Sequence, residues 1–254
     1  MTDARARDHE GRPFLLLATR AEDEAADQEY RAFARYGGLA PHRLRRHRLE
    51  RDPLDDLDLD DYAGIILGGS PFTISDPPET KSPVQRRVEA ELADLVAAVV
   101  RQDFPFLGAC FGIGVIGSLI GAVIDRTHPE PVGPTTITLT EAGRIDPLLC
   151  VLPPEFDAFV GHKEAVTELP AEAERLAASA GCPIQAFRVG ANVYATQFHP
   201  ELDAHGMSTR IDAYKHHGYF DPGEAETLKQ VARSGNVVHP GALVRRFVQL
   251  YENP

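Results

Sequence analysis

Phe106-Leu107-Gly108-Ala109-Cys110-Phe111-Gly112-Ile113-Gly114 decides how the whole chain is read. An apolar run ends in a cysteine flanked two positions to either side by glycine, the pattern G-x-C-x-G. This predicts a strand, a sharp turn and a helix, the geometry of a nucleophile elbow. A strained turn of this kind drives neighbouring side chains together, and Gly108 and Gly112 remove that conflict. The turn lifts the sulfur of Cys110 clear of the sheet and sets it at a helix N-terminus. There the helix dipole and free N–H groups favour the thiolate.

Outward from the elbow, strands alternate with helices. Phe14–Ala18 reads as a buried strand, followed by a helix from about Glu22 to Tyr36 that ends at Gly37-Gly38. A short strand is expected over 42–47, a third over 62–67, a periodic helix over 84–100 and a short one over 112–120. Such alternation indicates a parallel sheet covered on both faces, the α/β class. From about Val123 to Thr196 the pattern changes to short β runs with Pro/Gly turns, at 135–140, 158–160, 184–189 and 192–196.

A second segment, Tyr194-Ala195-Thr196-Gln197-Phe198-His199-Pro200-Glu201, completes the chemistry. A thiol nucleophile needs a base, and the base needs a group to orient it. Residues i and i+2 of an extended segment point to one side, and Pro200 keeps His199 out of helical geometry. One stiff tripeptide thus presents an imidazole and a carboxylate together. Cys110, His199 and Glu201 form a candidate catalytic triad.

Composition bounds the alternatives. The 254 residues are 43% hydrophobic and 25% charged, ordinary for a globular protein. A net charge of −12 argues against a nucleic-acid or anionic-membrane surface. The basic run over 43–51 is followed at once by aspartates and reads as a solvated loop. No signal peptide and no spanning segment are expected, and three cysteines make no disulfide framework, so a reduced, cytoplasmic setting is expected. Residues 1–12 read as a disordered tail and 13–254 as one domain. Its stretch over about 203–254 is expected to add helices near 207–217, 224–233 and 242–251, covering the site's mouth or forming a homo-oligomer contact.

The two motifs, in this order, resemble the class I glutamine amidotransferases. Ile65-Ile66-Leu67-Gly68-Gly69-Ser70-Pro71 resembles the glycine loop that supplies part of that family's oxyanion hole. The likeness spans roughly 13–202 and implies a three-layer, flavodoxin-like, mostly parallel sheet. The stretch over 123–196 would be the antiparallel extension, with extra helices at the C-terminus. It also implies backbone N–H groups of Gly69 and Phe111 as oxyanion donors, with Gly68 beside the substrate. Phe159-Val160-Gly161-His162-Lys163-Glu164 resembles a Ser-His-x-Asp segment near the family's substrate, with Gly161 and Glu164 substituted and His162 as a candidate substrate wall. Many relatives carry glutamine at the position of Gly114, where it contacts substrate. Its absence leaves room for γ-glutamyl substrates other than free glutamine. No histidine pair has metal-ligand spacing, and neither metal nor cofactor is expected.

The implied activity is hydrolysis of the glutamine side-chain amide through a thioester, releasing ammonia and glutamate. Within the family the likeness is nearest to GMP-synthetase-type amidotransferase domains, so a separate ammonia-accepting synthetase chain is an expected partner. A stand-alone γ-glutamyl hydrolase or peptidase is the second reading, and a non-catalytic regulatory module the third. PfpI-like peptidases carry histidine directly after the cysteine, where this chain has Phe111. The α/β-hydrolases place the acid before the histidine, whereas Glu201 follows His199.

Overall fold

Continuous apolar runs become the buried strands, as parallel pairing between two helical layers requires. The computed structural model describes residues 11–55 and 57–252, so the tail expected over 1–12 lies almost wholly outside the described residues. The chain begins with β1 (Phe14–Ala18), α1 (Asp23–Gly37), β2 (Leu44–Arg48), β3 (Gly64–Leu67), α2 (Pro83–Gln102), β4 (Phe106–Ala109) and α3 (Phe111–Leu119). It continues through β5 (Val123–Asp125), β6 (Glu130–Leu139), α4 (Glu141–Ile145), β7 (Glu155–His162), β8 (Ala165–Glu168), β9 (Ala173–Ser179), β10 (Ala186–Val189) and β11 (Val193–Thr196). Three helices close it: α5 (Ala204–Tyr214), α6 (Ala225–Ser234) and α7 (Gly241–Tyr251).

A nine-stranded sheet runs in the order β2-β1-β3-β4-β11-β10-β9-β6-β7. The pairs from β2 to β11 are parallel, in the doubly wound order of a flavodoxin-like sheet, and the pairs from β11 to β7 are antiparallel. One buried cluster joins Phe14, Leu16 and Ile66 to Leu243 and Phe247 of α7. The other joins Leu15, Ile65 and Phe106 to Val88, Leu92 and Val96 of α2. Alternate residues of the same strands thus face opposite helical layers. Among the described residues no helix is long and apolar enough to cross a membrane.

The strand expected over 42–47 is present as Leu44–Arg48, so part of the basic run read as a solvated loop is the sheet's edge strand, where charge is tolerated and apolar patterning is faint. A departure from expectation elsewhere has a physical cause. Ala173–Ser179, rich in helix formers, is a strand because it is hydrogen-bonded between β10 and β6. Sheet context there outweighs intrinsic preference. β5 and β8, a separate antiparallel pair against α3, are likewise additions to the expected pattern.

β4 and β11 are adjacent and parallel, with Ala109 beside Thr196, so both functional segments leave the same sheet edge side by side. Asp103, left-handed at the end of α2 (φ 48°), accepts from the N–H groups of Ala191 (3.0 Å) and Asn192 (2.9 Å). That tie fixes the β10–β11 turn at the foot of the strand carrying the histidine segment.

Candidate active site

Cys110 takes φ 55° and ψ −83°, a conformation from which a non-glycine residue gains nothing by itself. The surrounding backbone imposes it. Cys110 N–H donates to Thr196 O at 2.7 Å, and a Cβ on Gly108 would lie 2.8 Å from Gly112 Cα. The elbow therefore requires glycine at 108, as its pattern predicts. Phe111 opens α3, and a backbone N–H in the first turn has no intrahelical acceptor.

Beyond β11, His199 N–H donates to Phe159 O at 3.0 Å, pinning the segment across β7. His199 Nδ1 stands 2.9 Å from Glu201 Oε1, with both side chains buried. Cys110 and His199 line one cleft. Burial sets the resting protonation: it pushes the Cys110 thiol up to about 12 and holds the His199 imidazole down to about 4. The thiolate preference expected from the helix N-terminus is thus overridden by desolvation. Burial opposes the charge of Glu201 as well, but His199 and Arg210 outweigh it and hold the carboxyl well below its usual range.

Three residues without a role in the sequence reading complete this centre. Arg210 of α5 bonds Glu201 Oε1 at 2.7 Å and Glu29 Oε1 at 3.0 Å through Nη2. Its Nη1 lies 2.9 Å from His199 Nδ1 and 3.5 Å from Nε2, against the ring rather than in line with one nitrogen. Arg20 Nε reaches Glu29 Oε1 at 3.0 Å, and its guanidinium lies 5.4 Å from the Tyr214 ring centroid. A carboxylate on the buried face of α1, beside Ala25, Ala26, Ala32 and Phe33, needs cationic partners to be buried at all. The same signal marks Arg210, which shares its helix face with Met207, Ile211 and Tyr214. Asp203 Oδ1 caps Gly206 N–H at 2.7 Å and starts α5 directly after the histidine segment. The C-terminal stretch supplies Met207, Arg210, Ile211, Tyr214, Tyr219 and Phe220 to the lining of the cleft that holds Cys110.

The remaining expected residues fall out differently. Gly69 N–H is donated to Glu29 Oε1 at 3.2 Å, so it is engaged and not aimed at Cys110. Ser70, the next residue, lines the cleft with Cys110. Gly68 N–H donates to Leu17 O at 3.0 Å, and a Cβ there would meet the Glu29 carboxylate, which places Gly68 against α1 rather than substrate. Gly114 faces Glu164 Oε1 and Ile74, each 3.1 Å from where a Cβ would stand. Glu164 accepts from Ile74 N–H (2.9 Å) and Ser75 N–H (2.6 Å), so the space beside Gly114 is taken by side chains of the protein itself. His162 reaches Glu164 O at 2.8 Å and Glu130 Oε2 at 2.9 Å, which uses both ring nitrogens in a buried polar network, while the residue also lines a cavity at Cys110. Glu130, His162 and Cys182 bring three potential ligand atoms within 4.8 Å of one another. Ser179 Oγ (2.8 Å) and Gln185 also bond Glu130, and the Cys182 thiol faces Ile184 O at 3.4 Å. Protein partners thus occupy these donors.

Comparison with known proteins bears on the family and the fold. The family profile described as Glutamine amidotransferase class-I matches residues 29–213. The glutamine-hydrolyzing GMP synthase of Aeropyrum pernix is 30% identical over 140 residues, 55% of this chain and 24% of that protein. One of the subunits of the glutamine-hydrolyzing GMP synthase of Thermoplasma acidophilum is 28% identical over 152 residues, 59% of this chain and 68% of that one. The chain spans about a quarter of the length of the GMP synthases of Aeropyrum pernix, Petrotoga mobilis and Porphyromonas gingivalis that it matches. In fold it is similar to a glutamine amidotransferase of Thermotoga maritima, with TM-score 0.74, 21% identity, and coverage of 95% of this chain and 99% of that one. A glutamine amidotransferase of Methylobacillus flagellatus gives TM-score 0.65 at 16% identity, covering 96% and 97%. The chain belongs to the class I glutamine amidotransferase family.

Proposed function

We propose that this chain hydrolyses the side-chain amide of glutamine, or of a γ-glutamyl compound, with Cys110 as nucleophile, His199 as base and acid, and Glu201 as its orienting carboxylate. One observation carries the reading. The buried His199–Glu201 pair at 2.9 Å shares a cleft with a cysteine at φ 55°, ψ −83°. With the imidazole neutral and the thiol protonated at rest, His199 Nε2 takes the thiol proton as sulfur attacks the amide carbon. Nδ1–H donates to Glu201, and burial, aided by the guanidinium of Arg210 against the ring, keeps the resting imidazole unprotonated.

The tetrahedral oxyanion needs two N–H donors. Phe111 supplies one from the first turn of α3. Because Gly69 N–H is held by Glu29, we assign the second to Ser70 N–H, at the cleft wall. His199 then gives its proton to the leaving nitrogen, the C–N bond breaks, and the thioester remains. Water, deprotonated by the same imidazole, releases glutamate. Where the substrate is glutamine the other product is ammonia. The likeness to one chain of a multi-subunit GMP synthase supports a separate synthetase chain as its acceptor.

The test is release of glutamate from glutamine and from γ-glutamyl amides by the purified chain, with Cys110→Ala as the comparison. Cysteine-dependent release is expected. Equal release by Cys110→Ala refutes the triad.

A further inference from the structure

Two cavities open on Cys110 and share Cys110, Ser70, Gly161 and Tyr219. Beyond these, their walls differ in chemistry. The larger, about 50 Å³ of free volume, is faced mainly by Val132, Val160, Leu202, Met207, Ile211 and Phe220, with Arg20, Arg210 and Tyr214 adding polar groups. The smaller, about 30 Å³, is faced by Thr73, His162, Lys163, Glu164 and Gln197 along with Phe72, Phe111 and Ile113. His199 lines the larger cavity and not the smaller.

An amide carbonyl attacked by sulfur carries an acyl arm and a leaving nitrogen on opposite sides. The acid that protonates the leaving nitrogen has to stand beside it. His199 thus assigns the larger, mainly apolar cavity to the leaving group. The acyl arm of a γ-glutamyl substrate ends in an ammonium and a carboxylate, and burying either against apolar walls without partners is costly. The smaller cavity meets that need. Lys163 supplies a cation. Glu164 supplies an anion, and Gln197, whose Nε2 lies 4.0 Å from Cys110 Sγ, adds a side-chain amide to the same wall.

The leaving side is larger than the reaction of glutamine requires. Ammonia is the size of a water molecule, which needs ~10–15 Å³ of free volume, and the larger cavity offers about 50 Å³. Ammonia also gains nothing from a wall of leucine, isoleucine, valine, methionine and phenylalanine side chains. We infer that the preferred substrate is a γ-glutamyl compound whose leaving amine bears an aliphatic or aromatic group. This rests on the triad reading above and deepens it. The chemistry is unchanged: the amide C–N bond breaks, the S–C bond forms, the thiol proton passes through His199 to the departing amine, and water later restores the thiol.

The experiment compares kcat/KM for glutamine, γ-glutamylmethylamide, γ-glutamylbenzylamide and γ-glutamylphenylalanine, with Cys110→Ala as control. A benzyl-bearing substrate is expected to exceed glutamine by roughly tenfold or more, the scale on which filling an apolar pocket discriminates. Met207→Lys, which sets a charge in the apolar wall, is expected to lower the benzylamide-to-glutamine ratio. Cysteine-dependent turnover with glutamine equal to or better than both benzyl compounds overturns the inference and leaves the triad standing. No cysteine-dependent turnover of any compound overturns the triad reading instead. The preference then has its own readout: calorimetric binding to Cys110→Ala, where γ-glutamylbenzylamide is expected to bind more tightly than glutamine and equal or weaker binding refutes it.

Discussion

Arg210→Met removes one charge from a buried set that otherwise balances. Arg20 and Arg210 face Glu29 and Glu201, and the four side chains are between 0% and 7% exposed. His199, with its pKa pressed to about 4, adds no charge at neutral pH. Without Arg210, two carboxylates share one guanidinium, and Glu201 loses its bond at 2.7 Å. Breaking a buried pair on one side costs about 3–5 kcal/mol. Against a typical domain stability of roughly 5–15 kcal/mol, that is severe and measurable by urea denaturation at neutral pH. Arg210→Lys keeps the charge without the planar fork and should fall between wild type and Arg210→Met. Adding Glu29→Gln to Arg210→Met restores the balance, so the double variant should be less destabilised than the sum of the two singles. A coupling of about 0.5–3 kcal/mol is expected for groups in direct contact. Arg210 also opposes protonation of His199, so its removal raises the imidazole pKa and moves the acid limb of the pH–activity profile to higher pH. A loss below about 1 kcal/mol, or strict additivity with Glu29→Gln, would refute the charge-balance account.

Gly69→Ala places a Cβ 2.6 Å from both Arg20 Nη2 and His199 Cε1, groups that Glu29 and Glu201 anchor; kcat is expected to fall about 100-fold with the circular-dichroism spectrum kept, and undiminished kcat would contradict this. Acid should destabilise the chain in two stages. His199 binds more protons unfolded (6.5) than folded (about 4), so stability falls as pH drops between those values. Glu201, depressed below 4.5, contributes stability above that value that is lost as pH falls further; urea midpoints measured from about pH 7.5 downward should decline, and a flat profile would exclude both. Gly114→Gln must displace Glu164 or Ile74, each 3.1 Å from the new Cβ, and should cost roughly 1–3 kcal/mol while lowering glutamine turnover. Improved turnover would show that the position is open. Cys150, the exposed free cysteine, is expected to react first with a neutral alkylating agent, ahead of Cys110 and Cys182, by mass spectrometry of timed digests.

The elements that position the site could be read locally. Buried parallel strands advertise themselves as unbroken apolar runs, and β1, β3 and β4 are such runs. The elbow is legible because its strain admits only glycine at 108. The histidine segment is legible because Pro200 stiffens three consecutive residues. Less was legible where neighbours decide. β9 has a helix former's composition, and Glu130 gives His162 a structural partner that no spacing along the chain reveals.

By itself the sequence determined the alternation of strands and helices, the turn that raises Cys110, and the pairing of His199 with Glu201, since each depends on a few contiguous residues. Only the tertiary structure decided what surrounds them. Glu29 and Arg210 stand 181 residues apart, and no local rule joins them. Their bond exists because α1 and α5 pack together and turn charged residues into one buried space. The same packing commits Gly69 N–H to Glu29 and sets Met207 and Ile211 in the cleft beside Cys110. A buried charge takes its partner from whatever the fold brings within reach, and that choice is made in three dimensions.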